Sequence, residues 1–221
     1  MKEHMLVILP HPDDESFGVA GSIALKRKEG IPVTYACLTL GEMGRNMGSP
    51  LFANREVLPF IRKRELEAAC QAMDIQDLRM LGMRDKTLEF EDIELFADRI
   101  EELINELQPT LVVTFYPEHG VHPDHDATGR AVIHALKRLP KEKRPLTYCM
   151  AITKNREEAL GKPNVIIDIR EVAKVKLEAL KAHRSQTEGL IKEMEAKYNE
   201  NNPEIMNWLF EQEIFWTYKW D

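Results

Sequence analysis

Two short clusters, His11-Pro12-Asp13-Asp14 and His122-Pro123-Asp124-His125, carry the residue types from which a metal site and an acid–base pair are built. Imidazole and carboxylate are zinc ligands, and a set of three leaves positions open for water and substrate, as catalytic sites do. His11, Asp14 and His125 form such a set. Iron, cobalt and nickel accept the same donors, so the ligands leave the metal's identity open. A cation in an open site lowers the pKa of bound water and polarises a carbonyl. Asp13 is then a general base, His122 a donor to a tetrahedral intermediate, and Asp124 a group that orients an imidazole. Together these are the parts of metal-assisted amide hydrolysis.

The elements that must position them are buried strands. Met5-Leu6-Val7-Ile8-Leu9 precedes the first cluster and Leu111-Val112-Val113-Thr114-Phe115 the second. Short apolar runs of this kind read as parallel strands covered on both faces. Further strands are expected over 32–40, 77–81, 146–152 and 165–169, and helices over 15–28, 60–73, 91–107, 124–139 and 170–198. This alternation implies an α/β fold, a Rossmann-like, doubly wound, mostly parallel sheet in a single domain over residues 1–221. Its common order 3-2-1-4-5 sets strands 1 and 4 side by side at the switch point, where ligands bind beyond the carboxyl ends. Both clusters then meet. If the first helix starts near Pro12, His11 and Asp14 share a helical face and Asp13 points elsewhere.

The glycine-rich segment 41–50, with Glu42, Arg45 and Asn46, follows a strand and should wall the same pocket. The run Arg62-Lys63-Arg64-Glu65 reads as a solvated helix face, Asp85 as a turn or cap, and His183 as a helix-face or packing residue. The tail from about 200 to 221 holds Trp208, Phe210, Phe215, Trp216, Tyr218 and Trp220. Such a tail is expected on the body or at an oligomer contact, which makes a homo-oligomer the expected state.

Composition narrows the function classes. The 221 residues are 43% hydrophobic and 30% charged, enough for one well-buried core. The net charge of −7 contains no basic block, which argues against a nucleic-acid partner. Cys37, Cys70 and Cys149 lack C-x-x-C spacing and fall in apolar patterns, so buried free thiols and a cytoplasmic location are expected. No run approaches the roughly 18 apolar residues of a membrane span, and the first ten residues turn polar too soon for a signal peptide.

The motifs Pro10-His11-Pro12-Asp13-Asp14-Glu15, Leu38 through Gly44, Arg62-Lys63-Arg64-Glu65-Leu66, His122-Pro123-Asp124-His125 and Lys176 through Gln186 together resemble the LmbE-like (PIG-L) N-acetylglucosaminyl deacetylases. The resemblance implies a Rossmann-like fold and one zinc per chain at His11, Asp14 and His125. It also implies Asp13 as base, His122 as oxyanion stabiliser or acid, and Asp124 orienting His122. It assigns Arg62 to substrate, where a basic side chain suits an anionic aglycone, helped by Arg45 or Asn46. Family members release acetate from N-acetylglucosamine derivatives, so a small N-acetylated sugar is the expected partner. Gly41 through Gly48 and Gly120 through Arg130 are most similar to bacillithiol-pathway enzymes acting on N-acetylglucosaminyl malate. Position 120 is Gly where some relatives acting on mycothiol precursors carry a Tyr, and Tyr116 is the tyrosine of this loop. A deacetylase of a chitooligosaccharide would use the same residues; a non-catalytic sugar-binding protein would have no need of Asp13.

Overall fold

The computed structural model describes residues 3–199 and 207–220; the side chains of 195–199, 207 and 208, Trp208 included, lie outside the described residues. In chain order the elements are β1 (Met5–Leu9), α1 (Asp14–Gly18), α2 (Ala20–Lys28), β2 (Val33–Cys37), α3 (Leu58–Ala72), β3 (Asp77–Met80), α4 (Ile93–Leu107), β4 (Leu111–Phe115), α5 (Pro123–Arg138), β5 (Leu146–Met150), α6 (Arg156–Leu160), β6 (Val165–Asp168), α7 (Ala173–Ala182), α8 (Arg184–Asn199) and β7 (Gln212–Thr217).

β1 is buried along its whole length because helices cover both faces of the sheet. Met5, Val7 and Leu9 enter one core, formed with Val19, Ile23, Leu66, Ala69 and Ala179 of the helical layer that includes α2, α3 and α7. Leu6 and Ile8 enter the other, with Phe96, Ile100 and Ile104 of α4 and Ala131, Val132 and Leu136 of α5. The period-two alternation of a strand thus divides one apolar run between two layers.

The sheet order is β3-β2-β1-β4-β5-β7-β6. The first five strands are parallel, in the expected 3-2-1-4-5 arrangement. Part of the aromatic tail is a strand: β7 runs antiparallel between β5 and β6 and buries Phe215 and Trp216. It packs on the body from within the sheet.

Two expected helices are each broken. The helix expected over 15–28 divides at Val19, and Glu213 of β7 caps the new start by accepting from Gly21 N (2.9 Å), Ser22 N (2.8 Å) and Ser22 Oγ (2.6 Å). The helix expected over 170–198 divides at His183, and Glu65 of α3 accepts from Ser185 N (2.7 Å) and Ser185 Oγ (2.6 Å). In both places a buried carboxylate satisfies amides that a helix start leaves without partners. Among the described residues no helix is long and apolar enough to cross a membrane.

Candidate metal centre and catalytic site

β1 and β4 are neighbours, so the loops leaving their carboxyl ends meet. His11 lies before α1, whose N-cap is Asp13, and the shared helical face expected for His11 and Asp14 is not what joins them. A tight turn does so instead: His11 N donates to Asp14 Oδ2 at 2.9 Å, and His11 Nδ1 is 3.4 Å from the same oxygen. From the second loop His125 Nε2 comes within 3.2 Å of His11 Nδ1 and 3.2 Å of Asp14 Oδ1. One donor atom from each of the three residues lies within 4.8 Å of the others.

The surroundings fit a cation. His125 Nδ1 bonds the Gly120 carbonyl at 2.7 Å, which leaves Nε2 free of its proton as a ligand, and the ring stacks on Phe115 at 3.9 Å between centroids. His11 Nε2 faces Asp124 Oδ2 at 3.2 Å and Asp85 Oδ1 at 3.3 Å, which leaves Nδ1 for the metal. Carboxylate or carbonyl partners on the far nitrogen are the usual supports of metal-binding imidazoles. Burial alone would lower the pKa of His11, but Asp124, Asp14 and Asp85 outweigh it and hold the pKa well above the ordinary value. Burial likewise opposes the charge on Asp14, and His125 and His11 reverse this to hold the carboxyl far below its ordinary range. Two imidazoles and a carboxylate that share protons this tightly would exchange them for a divalent cation.

Asp13 stands apart from this set. Its backbone is left-handed (φ 115°) and its N–H donates to Glu15 Oε2 at 3.0 Å. Its carboxylate meets Arg62 Nη2 at 3.3 Å. Burial pushes its pKa up to about 6, opposed by Arg62 and aided by Asp14. His122 caps α5, its Nδ1 accepting from Asp124 N at 3.1 Å, so the neutral ring carries its proton on Nε2. Its ring meets His11 edge to face at 4.9 Å. Burial and the neighbouring His11 and His125 lower its pKa.

Several expectations change. The hydrogen bonds of Asp124's fully buried carboxylate go to Lys86 N (2.7 Å), Leu88 N (3.2 Å) and His11 Nε2, not to His122, although the three side chains come within 4.8 Å of one another. Arg62 does not lie on the solvated face that the charge run suggests. It is 4% exposed and donates to the Gly41 carbonyl, the Pro12 carbonyl and Asp13, so it braces the residue expected to act as base. Gly41 is required there, since a Cβ would fall 1.7 Å from Arg62 Nη1. Glu65, one turn on, is buried too, while Lys63 and Arg64 are exposed. Glu42 accepts from Asp85 N (3.1 Å), and Asn46 braces its own loop through Gly48 N (2.9 Å). Arg45 is exposed, and its carbonyl accepts from Gln186 Nε2 (2.9 Å).

Asp85 and His183 belong to the site's support. Asp85 Oδ2 accepts from Met43 N at 2.8 Å while Oδ1 faces His11, which ties the glycine-rich loop to a ligand. His183 Nε2 lies 2.6 Å from Glu15 Oε1, behind the Glu15 oxygen that holds Asp13 N–H. Sequence reasoning overlooked Glu15 itself, although it is the last residue of the first motif. No side chain fits at position 120 in this conformation, because a Cβ would lie 2.3 Å from His125 Cβ. Tyr116 packs against His119 and Tyr218.

The family described as PIG-L: GlcNAc-PI de-N-acetylase matches residues 6–136. The chain belongs to this family. Both His-Pro-Asp clusters fall inside the matched PIG-L segment, and similarity continues beyond it. Over all 221 residues, and the full length of both chains, it is 67% identical to a probable N-acetyl-alpha-D-glucosaminyl L-malate deacetylase 2 of Bacillus subtilis (strain 168). It is 30% identical over 192 residues, 82% of this chain and 69% of the other, to a diacetylchitobiose deacetylase of Thermococcus kodakarensis. Among solved structures, an N,N'-diacetylchitobiose deacetylase from Pyrococcus horikoshii, complexed with an inhibitor, superimposes with a TM-score of 0.73 at 26% identity, covering 96% of this chain and 82% of the other.

Proposed function

We propose that this PIG-L member is a zinc-dependent deacetylase that hydrolyses the acetamide of N-acetylglucosaminyl malate to acetate and a free amine. The carrying observation is the meeting of His11, Asp14 and His125 beside a separately held Asp13, in a chain 67% identical end to end to a protein of that name. Zinc at the three donors would supply a Lewis acid for the acetamide carbonyl and acidify water. The chain's own groups do the rest. Asp13 accepts the proton of the attacking water and returns it to the departing nitrogen, while Arg62 and Glu15 fix its position. His122 donates from Nε2 to the oxygen that gains charge in the tetrahedral intermediate. Asp124 and Asp85 hold the ring of His11.

The buried thiols Cys37, Cys70 and Cys149 support a cytoplasmic location. Self-association belongs to the same proposal, supported by the exposed apolar side chains of Leu51, Val57 and Phe60, and sedimentation velocity tests it. The activity test is amine release from N-acetylglucosaminyl malate, N-acetylglucosamine and diacetylchitobiose, each with and without added zinc. The malate glycoside should be cleaved best and only with metal. Preference for diacetylchitobiose would move this chain to the chitooligosaccharide reading, and release from none of the three would leave a sugar-binding protein.

A further inference from the structure

A cavity of about 320 Å³ opens beside Asp14 and His125. Phe17, Phe115 and Met150 give it apolar walls, and two cations, Lys176 and Arg156, line it. Lys176 is already neutralised: it is 1% exposed and its Nζ donates to Glu213 Oε1 at 2.7 Å. Arg156 is different. Its Nη1 makes one long bond, 3.4 Å to the Thr153 carbonyl, and its Nε is buried without a partner. Among the described residues no carboxylate forms an ion pair with it. A buried guanidinium N–H left unsatisfied is costly, and a planar carboxylate is the ligand that its donor edge fits.

The position of Arg156 is fixed relative to the reacting groups. It begins α6 in the segment after β5, which is pinned to the segment after β4: Ile152 N donates to the His119 carbonyl at 2.8 Å, and His119 Nδ1 bonds Thr153 Oγ1 at 2.8 Å. The same β4 segment carries Gly120, His122 and His125. Arg156 and the candidate ligands Asp14 and His125 thus line one and the same cavity.

We propose that Arg156 reads a carboxylate of the substrate's aglycone, and that the cavity beside Asp14 and His125 is the aglycone subsite. Arg62, whose terminal nitrogens hold Gly41, Pro12 and Asp13, does not take this part. The assignment rests on the malate glycoside proposed above as substrate.

The test uses zinc-loaded wild type, Arg156→Ala and Arg156→Lys, with N-acetylglucosaminyl malate and the uncharged methyl glycoside of N-acetylglucosamine. Loss of one charge-assisted hydrogen-bonding group should lower the ratio of kcat/KM, malate glycoside over methyl glycoside, by roughly 10- to 100-fold in Arg156→Ala, chiefly through KM. Arg156→Lys, which keeps the charge but not the fork, should recover part of that ratio. If wild type prefers the malate glycoside and both variants keep the full preference, the Arg156 assignment is wrong and the substrate reading stands. If wild type shows no preference, the malate reading fails and this assignment with it.

Discussion

The two His-Pro-Asp clusters share their first three residues and their place after a buried strand, yet corresponding positions do different work. His11 joins the candidate ligand set, whereas His122 caps a helix with Nδ1 and keeps Nε2–H. Asp13 is a partly exposed carboxylate held by Arg62, whereas Asp124 is fully buried and bonded to two backbone amides and His11. Only the fourth position, Asp14 and His125, is alike in both. The cause is where each helix begins. α1 begins two residues later in its cluster than α5, after Asp13 has taken a left-handed turn that presents its carboxylate. One sequence pattern thus yields two geometries, and residue type alone does not assign a role.

The largest effect should come from the shared floor of the two clusters. His11→Ala combined with His125→Ala should hold no zinc after reconstitution and lose all activity, as elemental analysis and an amine-release assay would show; full metal retention would break the comparison at its base. The third positions separate next. Asp13→Asn should lower kcat by about 100- to 10,000-fold while metal content stays at one per chain. Asp124→Asn should instead weaken zinc affinity by roughly 10- to 100-fold, with kcat recovered at saturating metal, since it acts through His11. Finding these two outcomes exchanged would reverse the roles drawn here.

Arg62→Ala removes the brace of Asp13, so the rate should drop by roughly 10- to 100-fold on the malate glycoside and on plain N-acetylglucosamine alike. A loss confined to the malate glycoside would return Arg62 to the aglycone. The smallest effect is expected at the close approach behind His125. Gly120→Ala should destabilise the fold by about 1–3 kcal/mol through overpacking, seen as a fall in Tm of roughly 2–10 °C.

Much of this was legible in the sequence because it is local. Apolar runs marked β1, β2, β4 and β5, the repeated cluster marked the two edges that converge, and helical spacing marked α4 and its core residues. What was not legible depends on partners far along the chain. Between Glu15 and Lys28 only Gly18 and Gly21, on either side of Val19, hint at a break, and the cap that makes it tolerable comes from far away, from Glu213. Nothing near His183 announces a helix end, which Glu65 caps from α3. β7 was hidden because its aromatic residues lack a strand's clean alternation, and its place between β5 and β6 is set by pairing with segments far away in sequence. The run 62–65 reads as solvated because charge runs usually are, and only the packing of α3 under the site turns Arg62 and Glu65 inward.

The pair Lys176–Glu213 also sets an order of events during synthesis. Glu213 reaches the start of α2 across 192 residues, so α2 cannot be capped from this side until β7 has been made. Contacts so distant along the chain form late. A nascent chain stopped before β7 would keep Lys176 near the core with no counter-charge and leave the amides of Gly21 and Ser22 without their acceptor. Such a chain would be conspicuous to chaperones and proteases, and the support behind the active centre would be complete only once β7 has joined the sheet.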